Sequence, residues 1–101
     1  MASGTIAQSL SQNNNLGTGV NLSSYTTTYY ECPYDGYLQV TGGSSGDTLI
    51  RIYSKDNNNE VPVRAKGDGS TIITVFVRKG MRLSRFSASG GGGASFFPLS
   101  S

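Results

Sequence analysis

The stretch "TIITVFVRK", Thr71 to Lys79, is the most hydrophobic of the chain and decides its class. Read with a period of two, Ile73, Val75 and Val77 share one face, while Ile72 and Phe76 make the other face apolar as well. Five of its nine residues are Ile, Val or Phe, which favour the pleated backbone, so it reads as a strand. A strand apolar on both faces lies at the centre of a fold or is covered by a second subunit. The stretches around it read the same way. "GYLQVTG" sets Leu38 and Val40 against Tyr37, Gln39 and Thr41, and "TLIRIYSK" sets Ile50 and Ile52 against Leu49, Arg51 and Tyr53. In "VPVRA", Pro62 has no backbone N–H to donate and marks an edge strand. "VNLSSYTTTYYECP" from Val20 to Pro33 is a Thr- and Tyr-rich strand region, and "GMRLSRFSAS" and "ASFFPL" follow the central stretch.

Turn chemistry separates these segments. "GGSSGD", "DNNNE" and "KGDGS" carry the Gly, Asn and Asp that tight turns require, with Asp68-Gly69 suited to positive φ. Hydrophobic residues make up 36% of the chain and charged ones 14%, a balance that fits short strands and many turns in one domain of 101 residues. The expected fold is all-β: an antiparallel β-sandwich or jelly roll of about eight short strands over residues 20–101, preceded by an extended N-terminal arm over residues 1–19. No charged side chain occurs in residues 1–30. Disordered leaders usually carry charge, so the arm is expected to lie against a neighbouring subunit or a larger assembly, with Ile6, Leu10 and Leu16 as its docking residues.

Several kinds of chemistry lack their residues. The chain contains no histidine and one cysteine, Cys32, so the common zinc sites, an intrachain disulfide and the usual base for a Ser or Cys nucleophile are all missing. Its acids, Glu31, Asp35, Asp47, Asp56, Glu60 and Asp68, fall mostly at turns, where Asp is expected for its local hydrogen bonds. The chain is therefore read as no enzyme, with no cofactor and no metal. Asp56, Asn58 and Glu60 alternate as calcium ligands would, but the glycine and spacing of an EF-hand loop are absent. The net charge of +2 is dispersed, with Arg78, Lys79, Arg82 and Arg85 its densest group, too few for a nucleic-acid stripe. No apolar run reaches membrane-spanning length, and the start "MASGTIAQSL" lacks the pattern of a signal peptide, so assembly in a reducing cytoplasm is expected.

Gly90 to Gly93 raise the question of a phosphate loop. Such a loop needs a following helix to supply amides and dipole, and here "ASFFPL" follows, without GK[ST]. The run is read as a mobile hairpin connection or a crowded spot near a symmetry axis, entering a last strand whose Phe96 and Phe97 point to opposite faces, core and partner. Tyr25, Tyr29, Tyr30, Tyr34 and Tyr37 crowd into thirteen positions, as rings that cap the core, face a partner or contact a glycan. Candidate oligomer-interface residues are Ile72, Phe76, Phe96, Tyr29 and Tyr30. Candidate loop contacts are Asp56, Asn57, Asn58, Asn59 and Tyr34.

The pattern Y-x-C-P-Y-D-G-Y-L-Q-V-x-G from Tyr30 to Gly42, V-F-V-R-K-G from Val75 to Gly80 and F-F-P-L from Phe96 to Leu99 resembles small β-sandwich domains of bacteriophage virion proteins. The opening "MASGTI" is similar to the starts of short phage structural proteins. Met81, where an acid often follows Lys-Gly, and Cys32, in place of the usual alanine, depart from that pattern. The resemblance implies a homotrimeric jelly roll of the tumour-necrosis-factor type on a virion surface. It would decorate the particle and bind capsid or tail proteins through its arm. The alternative is a fibre or receptor-binding tip that contacts host-surface glycans through its loops and exposed tyrosines. On this resemblance Asp35-Gly36 would form the first hairpin turn and Lys79-Gly80 the turn before the penultimate strand.

Overall fold

The structure, a computed structural model, describes residues 19–56 and 58–99. Eight strands are present among these: β1 (Val20–Asn21), β2 (Tyr30–Glu31), β3 (Gly36–Thr41), β4 (Thr48–Tyr53), β5 (Glu60–Ala65), β6 (Ile72–Val77), β7 (Arg82–Ala88) and β8 (Gly93–Pro98). They form two four-stranded antiparallel sheets, β1-β8-β3-β6 and β2-β7-β4-β5. The pairings are nested: β4 with β5, β3 with β6, β2 with β7 and β1 with β8. One long ribbon, β1 to β4 running back against β5 to β8, is thus rolled up and closed by the β3–β8 and β4–β7 pairs. This is a jelly roll, the all-β sandwich expected from the strand pattern.

Alternation decides which side of each strand enters the core. Leu38 and Val40 lie opposite Val75 and Ile73 on one neighbour and Phe96 and Ala94 on the other. Ile50 and Ile52 lie opposite Val63 and Val61 in the second sheet. Leu22, Leu38, Val40, Ile50, Val77, Leu83 and Phe96 are fully buried between the sheets. The loop Ser54–Asn59 at the ribbon's tip makes the one hairpin among the described connections; every other one passes between sheets. Asp35-Gly36 is therefore no hairpin turn. Asp35 sits where β2 leaves one sheet for β3 in the other, and it ties three segments together: its carboxylate accepts from Lys79 N (2.8 Å) and its carbonyl from Leu99 N (2.8 Å). Lys79-Gly80 does turn the chain into β7, with Gly80 at φ 92° donating to the Cys32 carbonyl.

The Thr- and Tyr-rich region from Val20 to Pro33 is not one strand. It makes two two-residue strands in opposite sheets, β1 beside β8 and β2 beside β7. Between them Ser23 to Thr28 cross from sheet to sheet, held by Tyr25 N to the Leu22 carbonyl (3.1 Å) and Phe86 N to the Tyr25 carbonyl (3.0 Å). Local strand preference could not reveal this break, because Thr and Tyr suit a crossing loop under these contacts as well as a strand.

The glycine run also differs from a flexible connection. Gly90 has φ 69°, its carbonyl accepts from Ser44 N (2.9 Å), and its backbone lies against Ser45. A Cβ on Gly92 would overlap the Thr48 hydroxyl. Loops 42–46, 66–70 and 89–92 here pack backbone against backbone, so Gly90 and Gly92 have no room for a side chain, while Gly91 has open space around it but a φ of 88° that favours glycine.

Asp68 organises the middle of these three loops. Its carboxylate accepts from the backbone N–H of Ser70 (2.9 Å), the Thr71 hydroxyl (2.8 Å) and the backbone N–H of Thr71 (2.9 Å). These bonds favour the ionised form and hold the carboxyl down at about 2, with the Ser70 amide the largest cause. A carboxyl that binds its proton less readily folded than unfolded stabilises the fold above its unfolded value, 3.8, and that contribution disappears as pH falls towards 2. Thermal unfolding followed from pH 5 to pH 2 is expected to show this loss in the native chain and a shallower slope in Asp68→Asn. Equal slopes would place the acid sensitivity elsewhere.

Candidate functional site

The two outer faces of the sandwich carry different chemistry. On sheet β1-β8-β3-β6 the outward residues form cross-strand rows. Phe97, Tyr37 and Phe76 make one row, with the Tyr37 and Phe76 rings 5.6 Å apart edge to face, and Gly19 packs on the ring of Phe97. Asn21, Ser95, Gln39 and Thr74 make the next row, and Gly93, Thr41 and Ile72 the third. Ile72 is 58% exposed and Phe76 45% exposed, both on β6. This strand lies at the sheet edge, so of the two readings open to a strand with two apolar faces, the central position is ruled out.

The four sheet edges are protected unequally. Edge strands β1 and β2 are two residues long, and β5 carries Pro62 between Glu60 and Arg64. Short length, proline and charge all discourage another strand from pairing there. β6 has six residues, no proline and no charge, and its backbone has β3 as its strand neighbour on one side only. Among the described residues it is the one long edge left bare.

On the outer face of β2-β7-β4-β5, Glu31, Arg82, Tyr53 and Glu60 form a row. Beside it a shallow cleft is lined by Thr27, Tyr29, Tyr53, Ser84 and Arg85. The Arg82 guanidinium lies over the Tyr29 ring, 4.7 Å from its centre, and 3.7 Å from the Glu31 carboxylate. Arg51 is ion-paired with Glu60. The Ser84 hydroxyl donates to the Thr28 carbonyl (2.7 Å) and fixes the segment that carries Tyr29. Arg85 has φ 60°, the left-handed region that side chains other than glycine avoid. It sits in a β-bulge: the β4–β7 register shifts between Leu49 and Arg51, so that Arg85 and Phe86 together face Ile50.

The structure distributes the sequence-derived candidates as follows. Ile72 and Phe76 lie together on the outer face of one sheet, and Tyr29, 52% exposed, on the outer face of the other. Two interface candidates are corrected. Phe96 is fully buried, because β8 is flanked by β1 and β3 and the ring fills the inward side; Phe97, its neighbour, faces outward. Tyr30 packs against the core with its ring 5.5 Å from Tyr25 and 5.7 Å from Phe96, and burial is the largest cause raising its phenol above 10.0. These two rings belong to the core, as aromatic side chains on the inward side of a sandwich do.

The arm residues Ile6, Leu10 and Leu16, and Asn57 in the loop, lie outside the described residues. Asn58, Asn59 and Tyr34 are exposed. Asp56 turns its carboxylate into its own loop, accepting from the Ser54 hydroxyl (2.6 Å) and Asn58 N (3.0 Å), which lowers its affinity for a proton, the Ser54 bond first. The Glu60 carboxylate is on the sheet face with Arg51, so Asp56, Asn58 and Glu60 do not converge. Cys32 is buried, and burial pushes its thiol up to about 12, with the Glu31 charge adding to the effect. At neutral pH it is a thiol and a small apolar core residue.

Compared with protein families, curated proteins and solved structures, the chain matches none. Its site has to be judged on geometry alone. The cleft beside Arg85 was not foreseen, yet one signal for it lies in "RLSRFSA". Leu83 and Phe86 both turn inward at a spacing of three, where unbroken alternation requires two, and that spacing marks the bulge.

Proposed function

We propose that this chain is a non-enzymatic structural protein that associates with copies of itself through β6 and decorates the surface of a bacteriophage particle. The observation that carries the reading is the bare β6 edge beside exposed Ile72 and Phe76. An exposed six-residue edge with an apolar outer face is an aggregation liability unless a partner covers it. Copies of the chain fit it best, because the adjoining Phe97 and the Asn21–Ser95–Gln39–Thr74 row offer apolar and hydrogen-bonding groups without charge. Three copies about one axis is the number implied by the resemblance of Tyr30–Gly42, Val75–Gly80 and Phe96–Leu99 to small virion domains.

Gly19, the residue that follows the uncharged stretch 1–18, packs on Phe97 of this same face. In the proposed assembly, residues 1–19 dock on a neighbouring capsid or tail protein, and several arms per oligomer strengthen attachment through avidity. Electron microscopy of virions from the phage that encodes the chain tests this directly. Surface projections with threefold symmetry that disappear when the gene is deleted are expected. Purified virions that lack the chain would overturn the decoration reading. Deletion of residues 1–19 is expected to leave the oligomer folded and to remove it from the particle.

A further inference from the structure

The second outer face belongs to the sheet without β6, and its chemistry is different. We propose that the cleft between Tyr29 and Tyr53 binds an anionic saccharide, a sugar ring bearing a carboxylate or phosphate, with the anion on Arg85 and the ring against tyrosine. The proposal is independent of self-association, because the cleft and β6 lie on opposite sheets.

Charge bookkeeping on the face singles out Arg85. Arg51 is paired with Glu60, Arg82 lies near Glu31, and Arg64 lies 3.6 Å from Asp47. Arg85 is exposed and forms no ion pair among the described residues. The bulge places it on the cleft wall. Guanidinium is a strong fork-shaped donor to carboxylate and phosphate, and an unpaired one in a cleft is open to such a ligand.

The remaining walls suit a sugar. Tyr29 and Tyr53 offer flat apolar surface for the C–H face of a ring together with phenol hydroxyls for its polar rim. Thr27 adds a hydroxyl group. The cleft is also organised before a ligand arrives: Arg82 covers one face of Tyr29, and the Ser84 bond to Thr28 holds the loop. Such preorganisation reduces the ordering cost of binding. A nucleic-acid strand fits less well, since it needs cations spaced along a groove to follow its phosphates, and the other arginines of this face already have acidic neighbours.

Amide shifts of the full, isotope-labelled chain, titrated separately with glucuronic acid, a hexose phosphate, methyl glucoside and a short oligothymidylate, test the proposal. Glucuronic acid, hexose phosphate or both are expected to shift Tyr29, Tyr53, Ser84 and Arg85, and the responding arm identifies the anion. Methyl glucoside is expected to bind at least about tenfold more weakly, for want of the charge-assisted bond. Arg85→Gly suits the left-handed backbone, so it keeps the fold, and it should weaken the acidic sugar by about tenfold or more. No shift at the cleft with either acidic sugar would overturn the proposal. So would equal binding of methyl glucoside, tighter binding of the oligothymidylate, or unchanged affinity in Arg85→Gly. A Phe76→Asp chain, altered on the opposite sheet, should bind the acidic sugar as the native chain does.

Discussion

Phe96→Ala is expected to lower the unfolding free energy of the chain by about 3–5 kcal/mol, the usual cost of emptying a buried phenylalanine site. The ring is fully buried in an interior strand of its sheet, opposite Val20 on β1 and Leu38 on β3, and it meets Tyr30 from the other sheet at 5.7 Å. It thus joins the two layers, and its removal leaves a cavity that paired strands on both sides prevent from collapsing. Total stability of a domain is about 5–15 kcal/mol, so the variant would be close to unfolding at room temperature. Urea denaturation monitored by circular dichroism gives the number. Phe97→Ala is the control: it removes the same group one position along, on the outward side, and should cost clearly less. A loss below about 1 kcal/mol for Phe96→Ala would contradict the placement of this ring in the core.

Gly42→Ala is expected to cost about 3 kcal/mol, a large effect for one added methyl group. Gly42 follows directly on β3 and donates to the Thr71 carbonyl (3.0 Å), and a Cβ there would overlap the carbonyl oxygen of Lys66. Neither side can yield easily. The Lys66 carbonyl also accepts from Asp68 N (3.0 Å), and the next residue, Gly67, donates to the Asp47 carboxylate (2.8 Å). Relief would require the 66–70 loop to move off the end of the sandwich. Gly91→Ala makes the contrast: no atom would meet its Cβ, and the φ of 88° alone should cost about 1–2 kcal/mol. Thermal unfolding of the two variants side by side separates crowding from backbone preference. If Gly42→Ala were the milder of the two, the three loops could not be packed as described.

Much of the fold was legible because a half-buried strand writes its burial into every second residue. Leu38 and Val40, Ile50 and Ile52, and Ile73, Val75 and Val77 all turn inward as their spacing requires. Pro62 named its edge correctly, since a missing N–H can be tolerated only where no strand follows. Pairing was less legible. Nothing in "VNLSSYTTTYYECP" says that its ends join opposite sheets, because partners far along the chain, on β7 and β8, decide that. The same limit explains Phe96 and Phe97. Alternation separates their faces, but only the position of β8 between β1 and β3 says which face is the core. The Arg85 cleft was hidden for a different reason: its cation comes from a bulge, and its aromatic walls come from β4 and from the loop before β2.

Self-association through the β6 edge can be read from sedimentation equilibrium of the full chain. Three chain masses are expected for the native protein. One chain mass is expected for Phe76→Asp and for Ile72→Lys, with the far-ultraviolet circular dichroism of a folded β-protein retained in at least one of them. A native chain that sediments as a single copy at every concentration would contradict self-association.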